Sequence, residues 1–279
     1  MPEATNTVFR LRLISGTVLA IAALAAVYAG GAWFAGLVAA GMVLMIREWP
    51  ELCLAAGGVR LLWRPRPPLA AVGFVVIALI ALVLLLTGRI PAALALAVAG
   101  APVVALLAGG GVRDRLLLGC GLPYIVVPAA ALLWIASAPQ GRLTLLWLLV
   151  VVWATDIGGY AAGKLIGGPR LAPHISPGKT WAGFIGATLL AVGAGAAFAV
   201  AAPEAPPLRL ALAAVAVSLV AQGGDLLESA VKRHFALKDS GTIIPGHGGV
   251  FDRLDGLLAA APLLAVLTAV SGNPGFLWR

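Results

Sequence analysis

The sequence predicts an all-α polytopic membrane protein of about nine transmembrane helices, with a cytoplasmic N-terminus and the C-terminus outside. Three observations carry this prediction. Of 279 residues, 61% are hydrophobic and only 11% are charged, where a soluble domain has about 25% charged residues. Mean hydropathy is +1.03. Charges are also missing from windows long enough to cross a bilayer. A soluble enzyme of this length could not bury so much apolar surface, and disordered chains are polar, so both classes are excluded.

The elements follow from the charge-free gaps. No charge lies between Arg12 and Arg47, a gap of 34 residues at 13–46, which is enough for two short spans turning near Gly30-Gly31. Gaps at 67–88, 90–112 and 116–141 each hold one span, as do 180–203 and 256–278. The runs 143–155 and 210–224 are short and end at Asp156 and Asp225. The resulting helices are 13–29, 32–46, 69–87, 91–108, 116–136, 143–163, 181–201, 208–232 and 256–271. Arg10 and Arg12 before an apolar run resemble a signal peptide, but with eight further spans an uncleaved first helix is expected.

Orientation rests on Lys and Arg. With the N-terminus inside, 15 of the 19 fall on the cytoplasmic side, and only Arg89, Arg142, Arg209 and Arg279 fall outside. The net charge of +8 therefore reads as positive-inside loops facing anionic lipid, with no nucleic-acid partner. Cys53 and Cys120 form neither a metal spacing nor a disulfide framework.

Polar chemistry concentrates in the second half. Residues 225–255 hold nine charges, and all three histidines lie in 225–255 or 156–179. A 1–140 region of unassigned role and a 141–279 catalytic region with a cytoplasmic-facing site are expected. Asp225, Glu228, Ser229 and Lys232 are spaced to share one helical face. An ionisable residue at a membrane boundary is costly unless paired or metal-bound. The competing reading is a solvated helix end with a Glu228–Lys232 pair.

The run Pro245-Gly-His-Gly-Gly-Val-Phe-Asp-Arg-Leu-Asp255 places glycines around His247, where the backbone can approach a ligand and turn N–H groups toward an anion. Asp252 and Asp255 share a face at a helix start. Such oxygen ligands suit Mg²⁺ beside substrate phosphates, although both could simply cap the helix. Asp156, Tyr160, Gly163 and Lys164 precede Ser176-Pro-Gly-Lys179-Thr180. Gly159 and Gly163 form a face of small residues suited to close packing. The Ser-Pro-Gly-Lys-Thr run lacks the full phosphate-loop pattern, so a P-loop is rejected. Lys179 can still serve as a point charge on a phosphate.

The segment 229–255 resembles the signature of the phosphatidate cytidylyltransferases, the CDP-diacylglycerol synthases. The pattern stands here as Ser229, Lys232-Arg233, Lys238-Asp239, Gly241, Pro245, His247-Gly248-Gly249, Asp252-Arg253 and Asp255. Gly224-Asp225-Leu226 with Glu228, Ile175-Ser176-Pro177 with Lys179-Thr180, and Asp156 with Tyr160 and Gly163 are also similar to that family. Gly256 and Ala182 depart from its common forms at positions away from the expected ligands.

The resemblance implies a Mg²⁺-dependent reaction of CTP with phosphatidic acid, giving CDP-diacylglycerol and pyrophosphate, at the inner membrane of a bacterium. It implies metal ligation by Asp225 and Asp252, with Asp255 and Asp156 as further catalytic candidates beside Lys179. Ser176, Lys232, Arg233, Lys238, His247, Gly248, Gly249 and Arg253 become substrate contacts. A second metal and a homodimer stay open. A CDP-alcohol phosphotransferase is disfavoured, because no Ala-Arg follows Asp255-Gly256. A transporter is disfavoured because the polar residues gather at one face of one half.

Overall fold

The computed structural model describes residues 2–54, 68–241, 243, 248–273 and 275–278, with side chains from residue 14 onward. Among the described residues there are nine helices and one two-stranded hairpin. In chain order they are α1 (Pro2–Ala29), α2 (Gly31–Leu54), α3 (Leu69–Leu86), α4 (Ile90–Leu107), α5 (Val112–Ser137), α6 (Gly141–Leu165), β1 (Arg170–Ala172), β2 (Ser176–Thr180), α7 (Trp181–Ala201), α8 (Pro207–His234) and α9 (Phe251–Val270). Eight of them, α2 to α9, are long and apolar enough to cross a membrane; the apolar part of α1, Ile14–Ala29, is shorter. The chain is a polytopic helical membrane protein.

Helices outrun the charge-free windows. α2 continues through Arg47, Glu48 and Glu51 to Leu54, and α9 starts at Phe251, ahead of Asp252 and Asp255. The physical reason is that a charge marks the edge of the hydrocarbon, whereas backbone hydrogen bonding continues into the polar interface.

The chain forms two compact units, one of residues 1–133 with 231–254, the other of 134–230 with 255–279. In the first unit, α3 buries Ala70, Ala71, Phe74, Ala78, Ala81 and Leu85. Mostly small, these residues suit helix packing where no hydrophobic driving force separates protein from lipid. Trp49 of α2 donates its indole N–H to the carbonyls of Leu117 and Leu118 (3.1 and 3.2 Å). Its ring packs with Tyr124 and Phe251 at centroid distances of 5.3 and 5.2 Å.

In the second unit, α6 and α7 approach through small residues. A Cβ on Gly158 would lie 2.7 Å from the Gly186 carbonyl, and one on Gly186 would lie 2.2 Å from the Cβ of Ala162. Gly159 and Gly163 lie on the same contact, facing Ala187 and Gly183. Trp147 closes the far end by donating to the Gly195 carbonyl at 3.1 Å.

The hairpin was not anticipated. β1 and β2 run antiparallel, pairing Arg170 with Thr180 and Ala172 with Ser176. The Ser-Pro-Gly-Lys-Thr run is therefore a strand rather than a phosphate loop. It ends in Thr180, whose hydroxyl accepts the Gly183 N–H at 3.0 Å and caps α7.

Candidate active site

The second unit holds a cavity of about 440 Å³, lined by Asp156, Tyr160 and Lys164 of α6, Lys179 of β2, Phe184 of α7 and Gln222 and Asp225 of α8, among others. The local sequence explains why these groups converge. Thr180 ends the strand and caps α7, which leaves Lys179 in the penultimate strand position at the cavity wall. The Lys179 ammonium lies 2.6 Å from a carboxylate oxygen of Asp225, both side chains being partly exposed. Lys164 stands with its Nζ 3.4 Å from the Tyr160 hydroxyl. Ser176 opens the same strand and Asp156 is exposed at the cavity.

Asp225, Glu228 and Asp255 form a carboxylate cluster, with ligand oxygens all within 4.8 Å of one another. Asp225 and Glu228 are three apart on α8, and Asp255 comes from the first turns of α9. Close helix approach makes this possible. A Cβ on Gly224 would lie 2.6 Å from the Cβ of Ala259 and 2.7 Å from the Asp255 carbonyl. Glu228 is only 3% exposed. Like charges this close repel by a few kcal/mol per pair at an effective dielectric of about 20, so positive charge has to offset them. Lys179 supplies some of it. The donor set, hard oxygens on two helices, fits a divalent cation of the Mg²⁺ type.

We predict that Gly224→Val forces α8 away from α9 and loosens the cluster. An overpacked helix contact costs about 1–3 kcal/mol. Thermal unfolding in detergent should show that loss, together with reduced turnover. Wild-type stability would mean that the two helices can separate without strain.

The first unit carries the other sequence-predicted residues, in the last turn of α8, the first turn of α9 and the loop between them. Lys232 pairs with Asp252 at 2.5 Å, and both side chains are largely buried. The second carboxylate oxygen of Asp252 accepts the Ser240 N–H (2.9 Å), the Ser240 hydroxyl (3.0 Å) and the Gly249 N–H (2.8 Å). Gly248 has φ +84°, which favours glycine. Arg233 donates to the Leu237 carbonyl at 3.2 Å. Lys238 and Arg253 are exposed, and His247 lies outside the described residues. His234 pairs instead with Asp114 of α5 at 2.6 Å.

Two features escaped the sequence reading. Helical spacing groups Glu228 with Asp225 on one face but does not single it out as a ligand, whereas its buried carboxylate joins the cluster. Glu48 of α2 was not considered. It is 1% exposed and accepts the Val250 N–H at 2.8 Å and the Phe251 N–H at 3.2 Å. The available signal was an acidic residue inside the apolar surroundings of Met45, Ile46, Trp49 and Leu52.

A family model described as the Cytidylyltransferase family matches residues 10–271. Among curated proteins, the Phosphatidate cytidylyltransferase of Brucella suis biovar 1 is 51% identical over 141 residues, covering 49% of this chain and 50% of the relative. That of Bacillus subtilis is 43% identical over 131 residues, 47% and 49% of the two chains. That of Rickettsia bellii is 38% identical over 152 residues, 52% and 65%. The chain spans about half the length of the first of these relatives. With the match running through nearly every helix described above, the chain belongs to the cytidylyltransferase family.

Proposed function

We propose that the chain transfers the cytidylyl group of CTP to phosphatidic acid, giving CDP-diacylglycerol and pyrophosphate, in a bacterial inner membrane. The observation that carries the reading is the cluster of Asp225, Glu228 and Asp255 beside a cavity walled by Lys164 and Lys179. The names of the curated relatives point the same way.

The reaction joins two anions. An oxygen of the lipid phosphate attacks the α-phosphorus of CTP, and the bond to pyrophosphate breaks. A phosphate monoester is already deprotonated near neutral pH, so no strong general base is required. The difficulty lies in bringing negative charges together and in receiving charge on the leaving group. Asp225, Glu228 and Asp255 are the residues that would hold Mg²⁺, which when bound neutralises phosphate charge. Lys179, which pairs with Asp225 at the cavity wall, would meet a phosphate oxygen, and Lys164 would add a second cation there. Asp156 extends the acidic lining. Ser176, Lys232, Arg233, Lys238, His247 and Arg253 remain proposed substrate contacts. For Asp252 and Gly249 the hydrogen bonds, and for Gly248 the positive φ, support a role in shaping the signature loop.

The reading is tested with purified protein, labelled CTP and a panel of lipid phosphates. Pyrophosphate release that needs both Mg²⁺ and phosphatidic acid supports it. Equal release without lipid, or with another lipid phosphate alone, contradicts it.

The Lys and Arg asymmetry supports a cytoplasmic active side. In a variant lacking Cys53 and Cys120, a cysteine at the exposed His174 should resist an impermeant thiol reagent in intact spheroplasts. A cysteine at the exposed Gln140 should react. The opposite pattern reverses the orientation.

A further inference from the structure

We infer that Glu48, on the second helix of the chain, is a positioning residue for the signature loop and sets its affinity for the nucleotide; this rests on the CTP-dependent reaction proposed above. α2 belongs to the stretch of chain for which the sequence suggests no role. Met45, Ile46, Trp49 and Leu52 around Glu48 are apolar and buried, while the charged neighbours Arg47 and Glu51 pair with each other. Helix packing alone does not call for a carboxylate there. A buried carboxylate is costly unless hydrogen bonds replace its water.

The hydrogen bonds come from the loop. Both oxygens of Glu48 lie 2.8 Å from the Val250 N–H, and one lies 3.2 Å from the Phe251 N–H and 3.5 Å from the Ser240 hydroxyl. These backbone donors are at the start of α9, where the helix dipole favours negative charge. Glu48 thus occupies an end of α9 that a substrate phosphate would otherwise find attractive. The loop is fixed from two sides. Glu48 holds 250 and 251 together with Ser240, and Asp252 holds 249 and Ser240. Glycine is needed where the chain passes these carboxylates, since a Cβ on Gly241 or Gly249 would lie 2.9 or 2.8 Å from Glu48 oxygens.

Fixing this loop fixes the cations on the helices at its two ends. Lys232 is held by Asp252, and Arg253 follows Asp252 directly with its side chain exposed. Glu48 therefore acts through the backbone of the loop that joins the two proposed CTP contacts.

The test is steady-state kinetics on the purified full chain with CTP, phosphatidic acid and Mg²⁺. Glu48→Ala removes the acceptor and should raise KM for CTP by about tenfold or more, as expected for lost hydrogen bonds to a charged group, while KM for phosphatidic acid stays within about twofold. Glu48→Gln keeps an acceptor oxygen and should return KM for CTP to within about threefold of wild type. Glu51→Gln, one turn further along α2, is the control and should behave as wild type. If Glu48→Ala does not accumulate in the membrane, Glu48→Asp takes its place under the same criterion, because it keeps the charge but draws the oxygens back. With an active wild type, an unchanged KM for CTP, or equal rises for both substrates, overturns the inference alone. A wild type inactive with CTP and phosphatidic acid overturns the functional reading and this inference with it.

Discussion

Replacing Asp225 by Asn is expected to lower kcat/KM by about 100-fold or more while leaving the folded protein as stable as wild type. Asp225 is partly exposed beside the cavity, and its charge faces Lys179 at 2.6 Å and the carboxylates of Glu228 and Asp255. Removing one negative charge from a crowded cluster relieves repulsion, so stability should not fall. On the proposed reading a ligand charge is lost, and activity should recover in part at higher Mg²⁺. Asp252→Asn gives the contrast. That residue is 5% exposed in its side chain and pairs with the largely buried Lys232. Removing one charge of a largely buried ion pair costs about 3–5 kcal/mol, so the melting temperature should fall and added Mg²⁺ should not restore turnover. Kinetics over a Mg²⁺ titration, read beside thermal unfolding, check both. Equal melting temperatures and equal Mg²⁺ rescue for the two variants would contradict the separation of roles.

The second large effect is expected at Gly249. A Cβ there would lie 2.1 Å from the Ser240 hydroxyl oxygen and 2.8 Å from both oxygens of Glu48. The carboxylate is buried and anchored on two backbone N–H groups, so it cannot swing aside without losing them. Gly249→Val should therefore cost about 2 kcal/mol or more through overpacking and broken hydrogen bonds, and turnover should fall with it. Thermal unfolding and CTP turnover, measured on the same preparation, read the effect. A stable variant with a normal KM for CTP would show that the loop repacks freely and that its carboxylate clasp has no functional weight.

Much of the helical plan was legible because hydrophobicity and charge gaps act at the scale of a whole span. The windows 69–87 and 91–108 differ little from α3 and α4. The ends were less legible. α2 runs to Leu54 and α9 starts at Phe251 because Arg47, Glu48, Glu51 and Asp252 find partners that let charged residues continue a helix. For Ser176 to Thr180 the sequence excludes a phosphate loop but does not announce a strand. The run's strand pairing with 170–172 depends on a partner segment that local pattern does not reveal.

In the site, helical spacing put Asp225 and Glu228 on one face, but only the fold brings Asp255 to them across the narrow contact at Gly224. Spacing also made Asp252 and Asp255 look alike. Their hydrogen bonds distinguish them, since Asp252 gathers Lys232, Ser240 and Gly249. Glu48 stands some two hundred residues before the backbone it holds, a separation at which sequence pattern carries no signal.

The central claim, that the three carboxylates hold the catalytic divalent cation, is tested most directly by anomalous diffraction from crystals of the full chain grown with Mn²⁺ in place of Mg²⁺. The account predicts an anomalous peak bonded to oxygens of Asp225, Glu228 and Asp255, lost in Asp225→Asn. A peak seated instead on Asp252, or none at the cluster in a preparation that turns over CTP with Mn²⁺, would contradict it.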